Sequence, residues 1–390
     1  MQFDFFERTC LMIVLAGGCL LYASTPVVAA PFLAPGFQTT DLSSVTTNAA
    51  GVAYSPDGTL YIVEGSFNSP SHTIDVVHSD GSLGTPIQVQ DTSDFGGFGS
   101  VGGVTWDPIT GGLLITDSDG GDYLFSVPVT GSISSGHVNV TPSTILSDPG
   151  FSVVPFISQV AVRPNGDIFV SDAAGGPGIQ GPGASIYEIN RSTGAANPVI
   201  NTGQDYTAGM GFDSQGHLIY QTGAFNFSGG PPTSSIFQVT LSGTGDATAT
   251  SGSPQLLTSN VGSFDLAVTS GDHLLVTGSV PVSTDSGANP YTFGLFQPGL
   301  GSNAADGILS LPTASGSEFG ESLAYLPGTT DFAPFSGAAG GRVAFVLSQS
   351  GPGAGFSDTV MVVQPVPEPA TAALAAVALV LVAAGIKLRR

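Results

Sequence analysis

Gly51-Val-Ala-Tyr-Ser-Pro-Asp-Gly-Thr-Leu-Tyr-Ile-Val-Glu64 is the stretch that decides the fold. Two apolar runs flank Pro56, Asp57 and Gly58. Pro presets φ, the Asx side chain bonds its own backbone, and Gly takes positive φ without steric cost, so the triplet predicts a tight turn. The flanks are rich in Val, Ile, Leu and Tyr, which suit a pleated surface. The same unit returns from Gly103, Gln159, Gly209, Asp265 and Ser322, at spacings of 52, 56, 50, 56 and 57 residues. The third copy, Gln159-Val-Ala-Val-Arg-Pro-Asn-Gly-Asp-Ile-Phe-Val-Ser-Asp172, repeats the turn as Pro164-Asn165-Gly166.

Further strand signals follow each pair, as at 73–77, 123–127, 185–189 and 235–239, with a weaker fourth such as 86–89. Four strands in roughly 50 residues, repeated in a ring, make propeller blades. The sequence therefore predicts an all-β, six-bladed β-propeller over residues 31–365. A β-sandwich has no need of one unit six times, and a β-helix has shorter rungs. The sixth repeat has three clear strands, ending at 359–363, while the segment 36–42 has no partner in the first repeat. We expect that segment to complete the last blade and remove an open edge.

Composition agrees. Gly (55) and Pro (28) make up about a fifth of the 390 residues, where average usage gives about 12%, and both disfavour helix interiors. The net charge is −22, with 7 Lys and Arg against 29 Asp and Glu, which excludes a nucleic-acid binder. Between residues 31 and 365 the cations are Arg163, Arg191 and Arg342.

The ends carry an address. Arg8, the apolar run 11–21 and the small residues up to Ala30 predict a signal peptide over 1–30. Both cysteines, Cys10 and Cys19, fall inside it, so the mature chain is expected to hold no disulfide and no thiolate metal site. At the other end, Pro367-Glu368-Pro369 precedes 17 uncharged residues, 370–386, and then Lys387-Leu-Arg-Arg390. That run predicts a single transmembrane helix with its cationic end in the cytoplasm. Residues 366–390 closely resemble the PEP-CTERM sorting signal. The resemblance implies processing by an exosortase at Pro367, Glu368 and Pro369, in a Gram-negative host that makes exopolysaccharide or biofilm matrix. The expected path is export, inner-membrane anchoring, then release to the cell surface or outside.

The body looks like the NHL and gluconolactonase-type propellers. That likeness implies, for its enzymes, a divalent metal on the ring axis, held by acidic or amide side chains just before the first strand of several blades. The equivalent positions here are Ala50, Gly102, Ser158, Ala208, Phe264 and Glu321. Glu321, with Asp265 one residue out of register, are the candidate axial ligands.

Other chemistry is sparse. The second strands of three repeats end in Glu64, Asp117 and Asp172, which read as turn caps. Asp117, Asp119 and Asp122 form the densest acidic loop; such oxygens suit Ca²⁺, although the closing Glu of an EF-hand is missing. No two of the five histidines have zinc spacing, His217 and His273 occupy matching turn positions, and no nucleophile elbow or phosphate loop appears. No catalytic residue is assigned. Phe95, Phe98, Trp106, Phe225 and Phe227 are available to a neutral glycan, although aromatics in β proteins are commonly core. The expected function is a binding or structural module for a matrix polymer or neutral glycan. A hydrolase or lyase of the gluconolactonase type is the alternative.

Overall fold

The computed structural model describes residues 32–368 except 47, 66–69, 119–120, 150–151, 155–156, 173–184, 204–206, 225–232, 245–246, 262, 281–291, 299–304, 311–317 and 350–356. Each repeat folds into an antiparallel meander, and the sheets built on these meanders stand around an axis as a β-propeller. In the first repeat Ala49–Tyr54 pairs with Leu60–Glu64, which pairs with Thr73–Val77 and then Ile87–Val89. The turn forms as the residues require: Gly58 has φ of +88°, and Asp57 Oδ1 accepts from Ser55 Oγ at 2.5 Å and from the Thr59 amide at 3.1 Å.

The first strands of the sheets, Ala49–Tyr54, Val101–Asp107, Ile157–Val162, Thr207–Phe212, Ser263–Val268 and Glu318–Leu326, lie innermost. The all-β propeller is as expected, but the expectation of six four-stranded blades is not met. Among the described residues five sheets have four strands, while the sheet of the first repeat has six. Its two extra strands, Ser132–Ser134 and His137–Val140, come from the second repeat. They form a hairpin, and His137–Val140 joins Ile87–Val89 in parallel. This hairpin ties two neighbouring blades at the rim and exposes Ile133.

The last sheet is completed as expected. Phe37–Asp41 pairs antiparallel with Ser357–Pro365, with Phe37 opposite Pro365 and Asp41 opposite Met361. The N-terminal strand thus lies outermost on the blade whose other three strands come from the C-terminal end.

Apolar side chains alternate onto the faces where sheets meet, and each junction holds one buried cluster. The first and second sheets meet around Val63, Ile74, Phe98, Ile115 and Phe125. The ring closes where Val52, Leu60 and Ile62 meet Ala344, Val346 and Val360. Each fully buried side chain of this size is worth about 1.5–3 kcal/mol of transfer free energy. No helix among the described residues is long and apolar enough to cross a membrane, and the expected helix 370–386 lies outside them.

Candidate functional site

The six inner strands share one irregularity. Each is out of register with its neighbour at its N-terminal half: between Ala49 and Gly51, Val101 and Gly103, Ile157 and Val160, Thr207 and Met210, Ser263 and Asp265, and Gly320 and Leu323. The positions that the resemblance nominates as metal ligands fall at these bulges. A bulge takes backbone groups out of the ladder, and those groups need partners. At and beside the bulges, side chains accept from inner-strand amides. Ser322 Oγ accepts from the Val52 amide at 3.3 Å, Thr116 Oγ1 from Gly103 at 2.8 Å, and Ser171 Oγ from Gln159 at 2.9 Å.

Asp265 belongs to this set. Its Oδ1 accepts from the Leu266 amide at 2.8 Å and its Oδ2 from the Leu323 amide, in the next blade, at 2.7 Å. It is a buried staple between two blades. Ala50 and Gly102 bring no donor atom, Ser158 is buried, and the side chains of Ala208, Phe264 and Glu321 lie outside the described residues.

The acidic loop is also turned towards backbone. Asp117 accepts from the amides of Gly99 at 3.0 Å and Ser100 at 3.2 Å, so this strand-ending acid is a cap. Asp122 Oδ1 accepts from the Ile157 amide at 2.8 Å. Asp119 lies outside the described residues. Among the described residues no three His, Cys, Asp or Glu side chains are grouped as a metal set. The histidines at the matching turn positions serve the fold: His217 bonds Asp213 at 2.7 Å in its own hairpin, and His273 bonds Asp331, in the first hairpin of the next blade, at 2.5 Å.

Burial pushes Asp265 up to about 7. Asp75 is also pushed up to about 7, by burial and then by the neighbouring Glu64 carboxylate. At Asp107, Asp148, Asp213 and Asp331 burial opposes ionisation too, but hydrogen bonds outweigh it and hold all four below the ordinary value. The two kinds act at opposite ends of the pH scale. Asp265 and Asp75 keep protons in the folded state that the unfolded chain releases above about pH 4, so their stabilisation is lost as pH rises from there through about 7. The other four lose theirs only below about pH 4. Calorimetry is therefore expected to give a higher Tm at pH 5 than at pH 8; a flat or rising profile over that interval would contradict this account.

Beyond the staples the axis opens into a channel of about 330 Å³, lined by residues from all six inner strands. Gln159 and Asp265 lie at its inner level. At its outer level stand Tyr54, Trp106, Val162, Phe212, Val268 and Tyr325, the same position of each repeat, four of them aromatic. All but Tyr54 are half-buried, and Trp106 stacks on Tyr61 with ring centroids 6.0 Å apart. Among the aromatics nominated for a glycan, Trp106 lines this channel. Phe95 and Phe98 are buried in the core, and Phe225 and Phe227 lie outside the described residues. Tyr54, Phe212 and Tyr325 were not nominated; reading the fourth residue of each repeat as a column finds them.

No protein-family model matches the chain, and no curated protein does. Solved structures do. A luciferin-regenerating enzyme is 10% identical with a TM-score of 0.52, over 84% of this chain and 95% of that one. A protein of unknown function from Dyadobacter fermentans is 10% identical with a TM-score of 0.48, over 85% of this chain and 100% of that one. A putative oxidoreductase (glucose dehydrogenase) from Thermus thermophilus is 13% identical with a TM-score of 0.45, over 84% of this chain and 100% of that one. At this identity the first of these shows the fold alone.

Proposed function

We propose that the chain is an exported β-propeller of the cell surface or extracellular matrix, which binds a neutral glycan in its axial channel. The observation that carries this reading is the aromatic collar of Tyr54, Trp106, Phe212 and Tyr325 around a channel of about 330 Å³. That volume falls in the range of small-ligand sites, about 300–1,000 Å³. Aromatic faces pack against the apolar C–H faces of a sugar ring while their polar edges meet its hydroxyls. With −22 net charge the chain repels polyanions, which favours an uncharged ligand. On a glycan array the purified full-length chain should select neutral oligosaccharides, and Trp106→Ala should lower the signal at least about tenfold, the loss of one aromatic contact.

The sorting reading is part of the same proposal. Pro367 and Glu368 are exposed, and Pro367 touches the body through one bridge to Ser336, which suits a motif that an exosortase must reach. Replacing Glu368 with Ala in the native host should leave an unprocessed form in the inner membrane. Release at the parental rate would overturn the sorting reading and leave the collar untouched.

The gluconolactonase-type reading needs several oxygens converging on a metal, because one carboxylate cannot replace its hydration shell. Asp265, one of the two candidate ligands, gives both oxygens to backbone amides.

A further inference from the structure

A second cavity, of about 190 Å³, lies where the last blade meets the first. Its wall includes Thr40, Tyr54, His78, Asp80, Arg342 and Gln364. Arg342 differs from the other two arginines of the body. Arg191 grips the carboxylate of Asp107 with both terminal nitrogens, at 2.6 and 3.0 Å. Arg163 bonds the carbonyls of Gly243 and Leu241 and lies 3.9 Å from Asp167. Among the described residues Arg342 makes one hydrogen bond, from Nη1 to the Ser79 carbonyl at 2.7 Å, and no ion pair. A guanidinium carries five N–H donors in a planar fork, so most of its donors stay available in a chain rich in carboxylates.

The remaining wall groups complement that charge. Burial keeps the Tyr54 phenol protonated, with its ordinary value raised further, so it offers an O–H; among the described residues this hydroxyl has no hydrogen bond. Gln364 and Thr40 add neutral donors and acceptors. Asp80, whose Oδ1 already accepts from Ser82 Oγ at 2.6 Å and the Ser82 amide at 2.9 Å, adds an acceptor for a hydroxyl. The ligand that fits has one carboxylate for the guanidinium, hydroxyls for the rest, and the size of one ring, since a cavity of about 150 Å³ already holds benzene. The net charge of −22 repels a polyanion but leaves a single acid unit able to enter.

We propose that this pocket binds one uronic-acid unit, with its carboxylate on Arg342. The site shares Tyr54 with the axial channel, but Arg342, Thr40 and Gln364 lie outside that channel's wall, and the reading goes beyond the neutral-glycan one. Isothermal titration of the full-length chain with glucuronate and galacturonate, against glucose and galactose, tests it. Each uronate is expected to bind at least about tenfold more tightly than its neutral counterpart, and Arg342→Gln to weaken it about tenfold or more, as loss of a charge-assisted hydrogen bond does. Gln364→Ala, a half-buried polar position, should weaken uronate binding by about threefold and serves if the arginine variant does not fold. Absence of uronate binding, equal binding of the neutral sugars, or uronate affinity unchanged in the variants would overturn the proposal.

Discussion

Replacing Phe37 with alanine is expected to destabilise the protein by about 3–5 kcal/mol, the cost of emptying a buried aromatic site. Phe37 is buried among Leu309, Leu323, Val343 and Val363, and its ring centroid lies 5.3 Å from that of Phe332. It also begins the strand that closes the ring. Thr40→Pro tests the same closure through the backbone. Leu42 donates its amide to the Val360 carbonyl at 2.9 Å, and Thr40, two residues back, shares its side of the strand and faces Val362. Proline removes the ladder bond there and leaves the Val362 carbonyl without its donor, at a cost of about 1–3 kcal/mol, and exposes the strand Ser357–Pro365 as an edge prone to association. Urea unfolding of both variants checks the pair: midpoints equal to the parent would mean that Phe37–Asp41 is not a closing strand.

Arg191→Ala should be nearly as damaging, at about 3–5 kcal/mol. Asp107 ends the inner strand of the second blade and is wholly buried; Arg191 reaches it from the third blade. Thr110 Oγ1 at 2.6 Å and the Ile109 amide at 3.1 Å still serve the carboxylate, but its counter-charge would be gone. The loss is large because a buried charge is left alone, rather than because the pair itself is strongly favourable. An apolar double replacement, Arg191→Met with Asp107→Leu, should recover much of it. Denaturation of the single and double variants separates these cases. A single variant within about 0.5 kcal/mol of the parent would show that water reaches Asp107.

The ring was legible in the sequence because its turns are local. Pro56-Asp57-Gly58 and Pro164-Asn165-Gly166 set their own backbone, and the apolar runs around them alternate onto sheet faces. The unpaired segment 36–42 was readable for a related reason, since a strand without a neighbour needs an edge to cover. Features made by two distant segments were not readable. The hairpin from Ser132 to Val140 is short and polar, and its parallel match to Ile87–Val89 exists only once the first two blades are side by side. Arg191 and Asp107 are 84 residues apart. Asp265 looked like an axial ligand because its type and place in the repeat suit one. Its role follows from the next blade, whose innermost strand turns the Leu323 amide towards the carboxylate. The collar was written in the repeat all along, in the column shared by Tyr54, Trp106, Phe212 and Tyr325, but an aromatic in a strand reads as core until the axis is drawn.

Trp106 is the single tryptophan of the chain, so its emission reports on the collar alone. Titrating the full-length chain with neutral oligosaccharides while following that emission is the most direct test of the proposed function. A saturable change in intensity or wavelength is expected, and Phe212→Ala, on the other side of the channel, should weaken it about tenfold. Glycan binding by another assay with no change at Trp106, or no saturation with any neutral glycan, would contradict the account.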